Sequence, residues 1–157
     1  MPSNTLSRVL CVDDDLDACE MLSLLLKSQR IDVTCAQSAA EAWHLINGEN
    51  FDLYLLDAWL PLLDGFEFCR QIREFDSNTP ILFYSGAAYD ADKRKGIAAG
   101  ANAYVTKPDV EGLVETIGDL IAKAKPDHVA PRWVGNQRRP AENWLSVPFF
   151  GVETASD

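Results

Sequence analysis

Positive charge is scarce in this chain. Its 157 residues hold 14 Lys+Arg against 24 Asp+Glu, a net charge of −10, with a pI near 4.6. That balance argues against nucleic-acid phosphates and against anionic membrane surfaces as partners. Most of the imbalance lies in residues 1–125, which carry 11 Lys+Arg and 20 Asp+Glu, a balance of −9. No apolar run approaches the length needed to span a bilayer. No basic stretch followed by an apolar core opens the chain, so a secretion signal is not expected and a cytoplasmic location is. Cysteine is limited to Cys11, Cys19, Cys35 and Cys69, with no Cys-x-x-Cys pair. All four sit in apolar element patterns. They read as small buried hydrophobes in a reducing compartment, with a zinc site or a disulfide as the alternative. No internal repeat is evident.

What the chain does have is a regular alternation of strand and helix patterns. A chain of this length fits one domain with some residues left over. The first strand is expected at about 8–13, and a helix with a dense Leu/Met face from about Leu16 to Gln29. A short strand, Asp32 to Cys35, precedes a helix that opens on Ser38-Ala39-Ala40-Glu41, a capping-box pattern, and stops near Asn47-Gly48. The third strand is 52–57, and its loop holds Pro61 and the turn pair Asp64-Gly65. A helix carrying Phe66, Cys69 and Ile72 follows. Pro80 starts the fourth strand, Ile81 to Ser85. The fourth helix, about 89–99, is weakly patterned. The fifth strand is Ala103 to Thr106. The fifth helix is marked by Val110, Leu113, Val114, Ile117, Leu120 and Ile121 at helical spacing. Five such βα units demand a doubly wound parallel sheet. The flavodoxin-like strand order 2-1-3-4-5 suits this size and places strands 1 and 3 side by side at the switch point.

Three acidic residues then become the focus. Arg8-Val9-Leu10-Cys11-Val12 ends in Asp13-Asp14, and Leu53-Tyr54-Leu55-Leu56 ends in Asp57. Both runs are continuously apolar, as in strands buried on both faces. Ligands of open α/β sheets bind outside the carboxyl ends of the strands, so all three carboxylates fall in one crevice. Carboxylates held that close repel one another unless a cation neutralises them. Oxygen-only ligands of this kind suit Mg²⁺. Any one of these residues could merely end a strand or cap a helix; the three together are poorly explained that way.

Ser85 at the end of the fourth strand and Lys107-Pro108 after the fifth complete a set, with Tyr104 three residues before the lysine. An acidic pair, an Asp, a Ser/Thr and a Lys-Pro in this order resemble the receiver domain of two-component response regulators, over about residues 6–125. The resemblance implies that Asp57 is the phosphoacceptor. It implies Asp14 as a direct Mg²⁺ ligand, Asp13 as a water-mediated one and the Trp59 carbonyl as a further ligand. Ser85 and Lys107 would each meet a phosphoryl oxygen, Tyr104 would be the aromatic that turns inward on activation, and the Lys107-Pro108 bond would be cis. Trp59 is bulky where receivers vary, and Gly86 stands where Ala is usual. Each residue also has a plainer role: Ser85 could satisfy a backbone group, Lys107 could be a solvated charge, and Tyr104 could be core.

Neither His44 nor His128 lies in these loops. A phosphoryl donor is therefore expected on a partner, and the resemblance implies that it is a phosphohistidine on a sensor histidine kinase or a histidine phosphotransfer protein. The expectation is a stand-alone receiver, not an enzyme beyond its own phosphorylation and dephosphorylation chemistry, that switches binding to a downstream protein or relays phosphate. A receiver-like adaptor working without phosphorylation is one alternative. An aspartyl-phosphate phosphatase is another, disfavoured because Trp59 stands where such enzymes place a second Asp. Lys93-Arg94-Lys95 reads as a solvated helix face or, by resemblance, a partner surface. Residues 126–157 hold four prolines with Trp133, Trp144, Phe149 and Phe150 among them. No helix-turn-helix or second catalytic motif is seen there. Such a segment either docks on the face between the fourth and fifth helices or orders on a partner.

Overall fold

A computed structural model of the chain describes residues 6–124. Strands and helices alternate as β1 (Ser7–Val12), α1 (Leu16–Lys27), β2 (Ile31–Ala36), α2 (Ala39–Gly48), β3 (Leu53–Leu56), α3 (Gly65–Phe75), β4 (Ile81–Ser85), α4 (Asp90–Ala98), β5 (Ala103–Thr106) and α5 (Val110–Ala124). All strands are parallel, in the order β2-β1-β3-β4-β5. This is the doubly wound, flavodoxin-like topology that the alternation predicts.

The continuous apolar runs are explained by a sheet covered on both faces. Successive strand residues point to opposite sides. Leu10, Tyr54, Leu56 and Phe83 therefore join the core under α2, α3 and α4. Val9, Leu53, Leu55 and Leu82 join the core under α1 and α5. Trp43 of α2 anchors the first core, with its ring edge-on to Phe68 and Phe75 at 5.5 and 5.4 Å. The α5 stripe buries Leu113, Ile117 and Ile121.

Helix starts follow their caps. Asp15, Ser38 and Asp64 accept hydrogen bonds from the amides of Ala18, Glu41 and Glu67. Each such cap contributes about 1 kcal/mol. The Glu41 carboxylate reaches back to the amide of Gln37, one residue before the position a capping box specifies. Helix α1 stops two residues short of the expected Gln29; Arg30 takes a left-handed φ of 64° and turns the chain into β2. Helix α4 buries only Gly96. A Cβ there would meet Tyr104 Cδ2 at 2.9 Å and Phe83 Cδ2 at 3.0 Å. The helix is thus held by close approach to β4 and β5 rather than by an apolar stripe, and its sequence pattern is correspondingly faint.

One expectation is overturned. Cys19 of α1 and Cys35 of β2 form a disulfide with their Cα atoms 6.1 Å apart, so the chain does not carry four unpaired thiols. Only Cys11 and Cys69 are free, and both are buried. The cause is tertiary: α1 packs on β1 and β2 and sets Cys19 directly over its partner. The pairing also removes the argument for a reducing compartment. The 126–157 segment lies outside the described residues, and its expected docking with it, and no helix among those described is long and apolar enough to cross a membrane.

Candidate functional site

The site is built by the sheet ladder. Val12 of β1 is in register with Leu56 of β3, so Asp13 and Asp57 are the next residues out of adjacent strands. The Asp57 amide donates to the Val12 carbonyl at 3.0 Å, and the Asp13 amide to the Ala36 carbonyl at 3.0 Å. Asp14 follows by sequence. One carboxylate oxygen from each of Asp13, Asp14 and Asp57 lies within 4.8 Å of the others. Asp13 and Asp57 are buried, and Asp14 is exposed.

The fourth and fifth strands bring the counter-charge. Ser85 is paired with Thr106, and the Lys107 amide donates to the Ser85 carbonyl at 2.9 Å. The Lys107 Nζ then lies 2.8 Å from Asp13 Oδ2 and 3.6 Å from Asp57 Oδ2. The bond from Lys107 to Pro108 is cis. Burial works against the ammonium, but the hydrogen bond to Asp13 and the two carboxylates prevail and hold its pKa above the ordinary lysine value. Ser85 is fully buried, and its Oγ accepts the Ala87 amide at 3.2 Å. The Tyr104 hydroxyl donates to the Ala87 carbonyl at 2.6 Å, with its ring stacked on Phe83. Ser85 and Tyr104 therefore meet through Ala87. The Trp59 amide donates to Asp57 Oδ1 at 3.3 Å, while its residue is 63% exposed.

All the sequence-selected residues thus converge on one end of the sheet. Two contributors carried no recognised signal. Gln37, at the end of β2, donates its side-chain amide to the Asp14 carbonyl at 3.3 Å. Gly65 packs its α-carbon against the backbone of Asp57 and Ala58: a Cβ would lie 2.1 Å from the Asp57 carbonyl oxygen. The Asp64-Gly65 pair marks a turn, but nothing local tells that this glycine touches the strand end that carries Asp57.

Three carboxylates against one lysine leave the crevice with surplus negative charge, and every donor is an oxygen. This set fits Mg²⁺. Burial holds the Asp57 carboxyl above its ordinary 3.8, outweighing the Ser85 hydroxyl and Lys107, which pull it down. A carboxyl with a raised folded pKa favours folding while protonated, and that advantage is lost as pH rises through the folded pKa. Asp57→Asn should therefore raise the melting temperature of the metal-free protein at pH 7. The gain should fade as pH falls through the raised folded pKa of Asp57 and be gone below its ordinary 3.8, where the unfolded chain is protonated as well. Millimolar Mg²⁺ should stabilise wild type and narrow the difference. Melting curves unmoved by Mg²⁺ in wild type would count heavily against the site.

The fold and the acidic crevice define a receiver-type α/β domain. The family model described as "Response regulator receiver domain" matches residues 9–118, and the chain belongs to that family. Among curated proteins it is similar to Response regulator MprA of Mycobacterium leprae, 35% identical over 124 residues, covering 78% of this chain and 54% of that protein. It is also similar to the transcriptional regulatory protein CpxR homolog of Haemophilus influenzae, 37% identical over 103 residues, 66% of this chain and 44% of that one. The chain thus spans about half the length of the curated relatives it matches. Among solved structures, a Francisella response regulator receiver domain superposes with a TM-score of 0.72 at 30% identity, covering 76% of this chain and 99% of that one. A putative response regulator from Chloroflexus aurantiacus gives 0.71 at 32% identity, covering 74% and 98%.

Proposed function

We propose that this receiver takes a phosphoryl group onto Asp57 from a partner's phosphohistidine, with Mg²⁺ bound by Asp13, Asp14, Asp57 and the Trp59 carbonyl. The observation that carries the proposal is Asp57 at the end of β3, beside the acidic pair and 3.6 Å from the Lys107 ammonium. An Asp57 carboxylate oxygen attacks phosphorus as the bond from phosphorus to the leaving group breaks, and the leaving imidazole stays with the donor. Lys107 pairs with one phosphoryl oxygen, and the Ser85 hydroxyl donates to another. Bound Mg²⁺ would supply the remaining charge neutralisation at the phosphoryl oxygens. Such transfer needs positioning and neutralised oxygens more than a base, which agrees with the lack of a histidine among these residues.

The phosphorylated form then switches binding to a downstream protein or passes the phosphoryl group on. Tyr104, tied to Ser85 through Ala87, is suited to report the state of the site to the surface of β5. We infer a sensor histidine kinase or histidine phosphotransfer protein as donor, a protein rather than nucleic acid as target, a cytoplasmic setting, and no turnover of an external substrate. The net charge of −10 supports the second of these. The test is incubation with acetyl phosphate and intact mass measurement. One phosphoryl mass should appear with Mg²⁺ and vanish when a chelator is added; no gain under either condition would refute the proposal.

The exposed Trp59 follows the phosphoacceptor by two residues. Its indole can shield phosphorus from in-line attack by water. Trp59→Asn should shorten the phosphoprotein lifetime several-fold, read as decay of the phosphorylated mass after donor removal. An equal or longer lifetime would reject that role.

A further inference from the structure

The Cys19–Cys35 disulfide ties together the two elements that frame the acidic loop. Asp15 caps α1 one turn before Cys19, and its amide donates to Asp13 Oδ1 at 2.9 Å. On the other side, Ala36 follows Cys35 directly and accepts the Asp13 amide, and Gln37 holds the Asp14 carbonyl. Each sulfur is therefore only a few residues from a group that positions Asp13 or Asp14. The two sulfurs also differ in access: Cys19 is fully buried, and Cys35 is half-buried on the sheet's edge strand. The buried sulfur has a place to go when reduced, because Cys19 Sγ lies 3.9 Å from the Cys11 carbonyl oxygen.

We propose that Cys19 and Cys35 are a reversible redox pair whose oxidation pre-organises the Asp13-Asp14 loop and strengthens cation binding there. The inference rests on the Mg²⁺ site described above. In the forward reaction, the Cys35 thiolate attacks a low-molecular-weight disulfide such as oxidised glutathione, forming a mixed disulfide and releasing one thiolate. The Cys19 thiolate then attacks the Cys35 sulfur and expels the second. Two electrons pass from the protein thiols to the small disulfide, and the two released thiolates take up the two protons. A dithiol reverses both steps, entering at Cys35, the less buried of the two. Oxidation removes the freedom of α1 and β2 to part, so less ordering remains to be supplied when the cation binds.

The test uses the full chain equilibrated with oxidised or reduced glutathione, then alkylated and peptide-mapped without reduction, with Mg²⁺ affinity measured by titration in parallel. The oxidised protein should show the Cys19–Cys35 linkage, with Cys11 and Cys69 alkylated only after denaturation. Its Mg²⁺ affinity should exceed that of the reduced form by about fivefold, the low end of typical coupling between sites. Cys35→Ser should bind Mg²⁺ like the reduced wild type under both conditions. Four alkylatable thiols after oxidised glutathione, or a Cys11–Cys35 linkage, would overturn the pairing. A linkage that forms without changing Mg²⁺ affinity would overturn the coupling. Absence of Mg²⁺ binding in both redox states would refute the metal site itself, a different failure that the thiol map distinguishes.

Discussion

Asp57→Asn is expected to abolish phosphoryl uptake from acetyl phosphate completely, in a protein that remains folded. The amide keeps the size of the side chain and its place at the end of β3, but it is no nucleophile. No other carboxylate can take over. Asp13 is next to Lys107 but already hydrogen-bonded to it at 2.8 Å, and Asp14 is exposed, whereas Asp57 is buried at the strand end. Lys107→Ala should keep the nucleophile and lose the ammonium, slowing phosphorylation by about a hundredfold, as when one preorganised charge-stabilising donor is removed. Intact mass over time reads both variants. A phosphoryl mass on Asp57→Asn would show that another residue is the acceptor, and an unimpaired Lys107→Ala would remove the lysine from the chemistry.

The largest structural effect is expected at Gly65. Its added Cβ would lie 2.1 Å from the Asp57 carbonyl oxygen and 3.0 Å from the Ala58 Cα. Those are backbone atoms, which cannot rotate aside. The helix start must therefore move away from β3, breaking the 2.8 Å hydrogen bond from the Gly65 amide to the Ala58 carbonyl. Gly65→Ala should cost about 3 kcal/mol of stability, the upper part of the range for overpacking. Asp57 would shift with the backbone that carries it, so the proposed phosphorylation should fall as well. Gly86→Ala is the matching control, since a Cβ there meets nothing within 4 Å. Chemical denaturation of the two variants side by side checks this. A Gly65→Ala protein as stable as the Gly86→Ala protein would contradict the close approach.

Much of the architecture was legible in the chain because both strand burial and helix amphipathicity leave periodic marks. The uninterrupted apolar runs at 9–12 and 53–56 identify central strands, and the stripe through Leu113, Ile117 and Ile121 identifies α5. Parallel strands joined by helices permit few topologies, and the order β2-β1-β3-β4-β5 follows. Once that order is known, Asp13 and Asp57 must be neighbours, because they leave adjacent strands at the same end. The site was therefore readable as a consequence of topology, with Ser85 and Lys107 added by their positions after β4 and β5.

The chain by itself determined its strand order, its two-faced core and the convergence of Asp13, Asp14, Asp57, Ser85 and Lys107, since these depend on periodicity and on which strand end a residue leaves. Only the tertiary structure decided that Cys19 and Cys35 pair, that Gln37 holds the Asp14 carbonyl, and that Gly65 touches the backbone of Asp57. Each of these is a contact between elements whose distance depends on how a helix settles on the sheet. No pattern within one element encodes that distance, and a cysteine that fills a core looks the same in sequence as one that meets a partner across it.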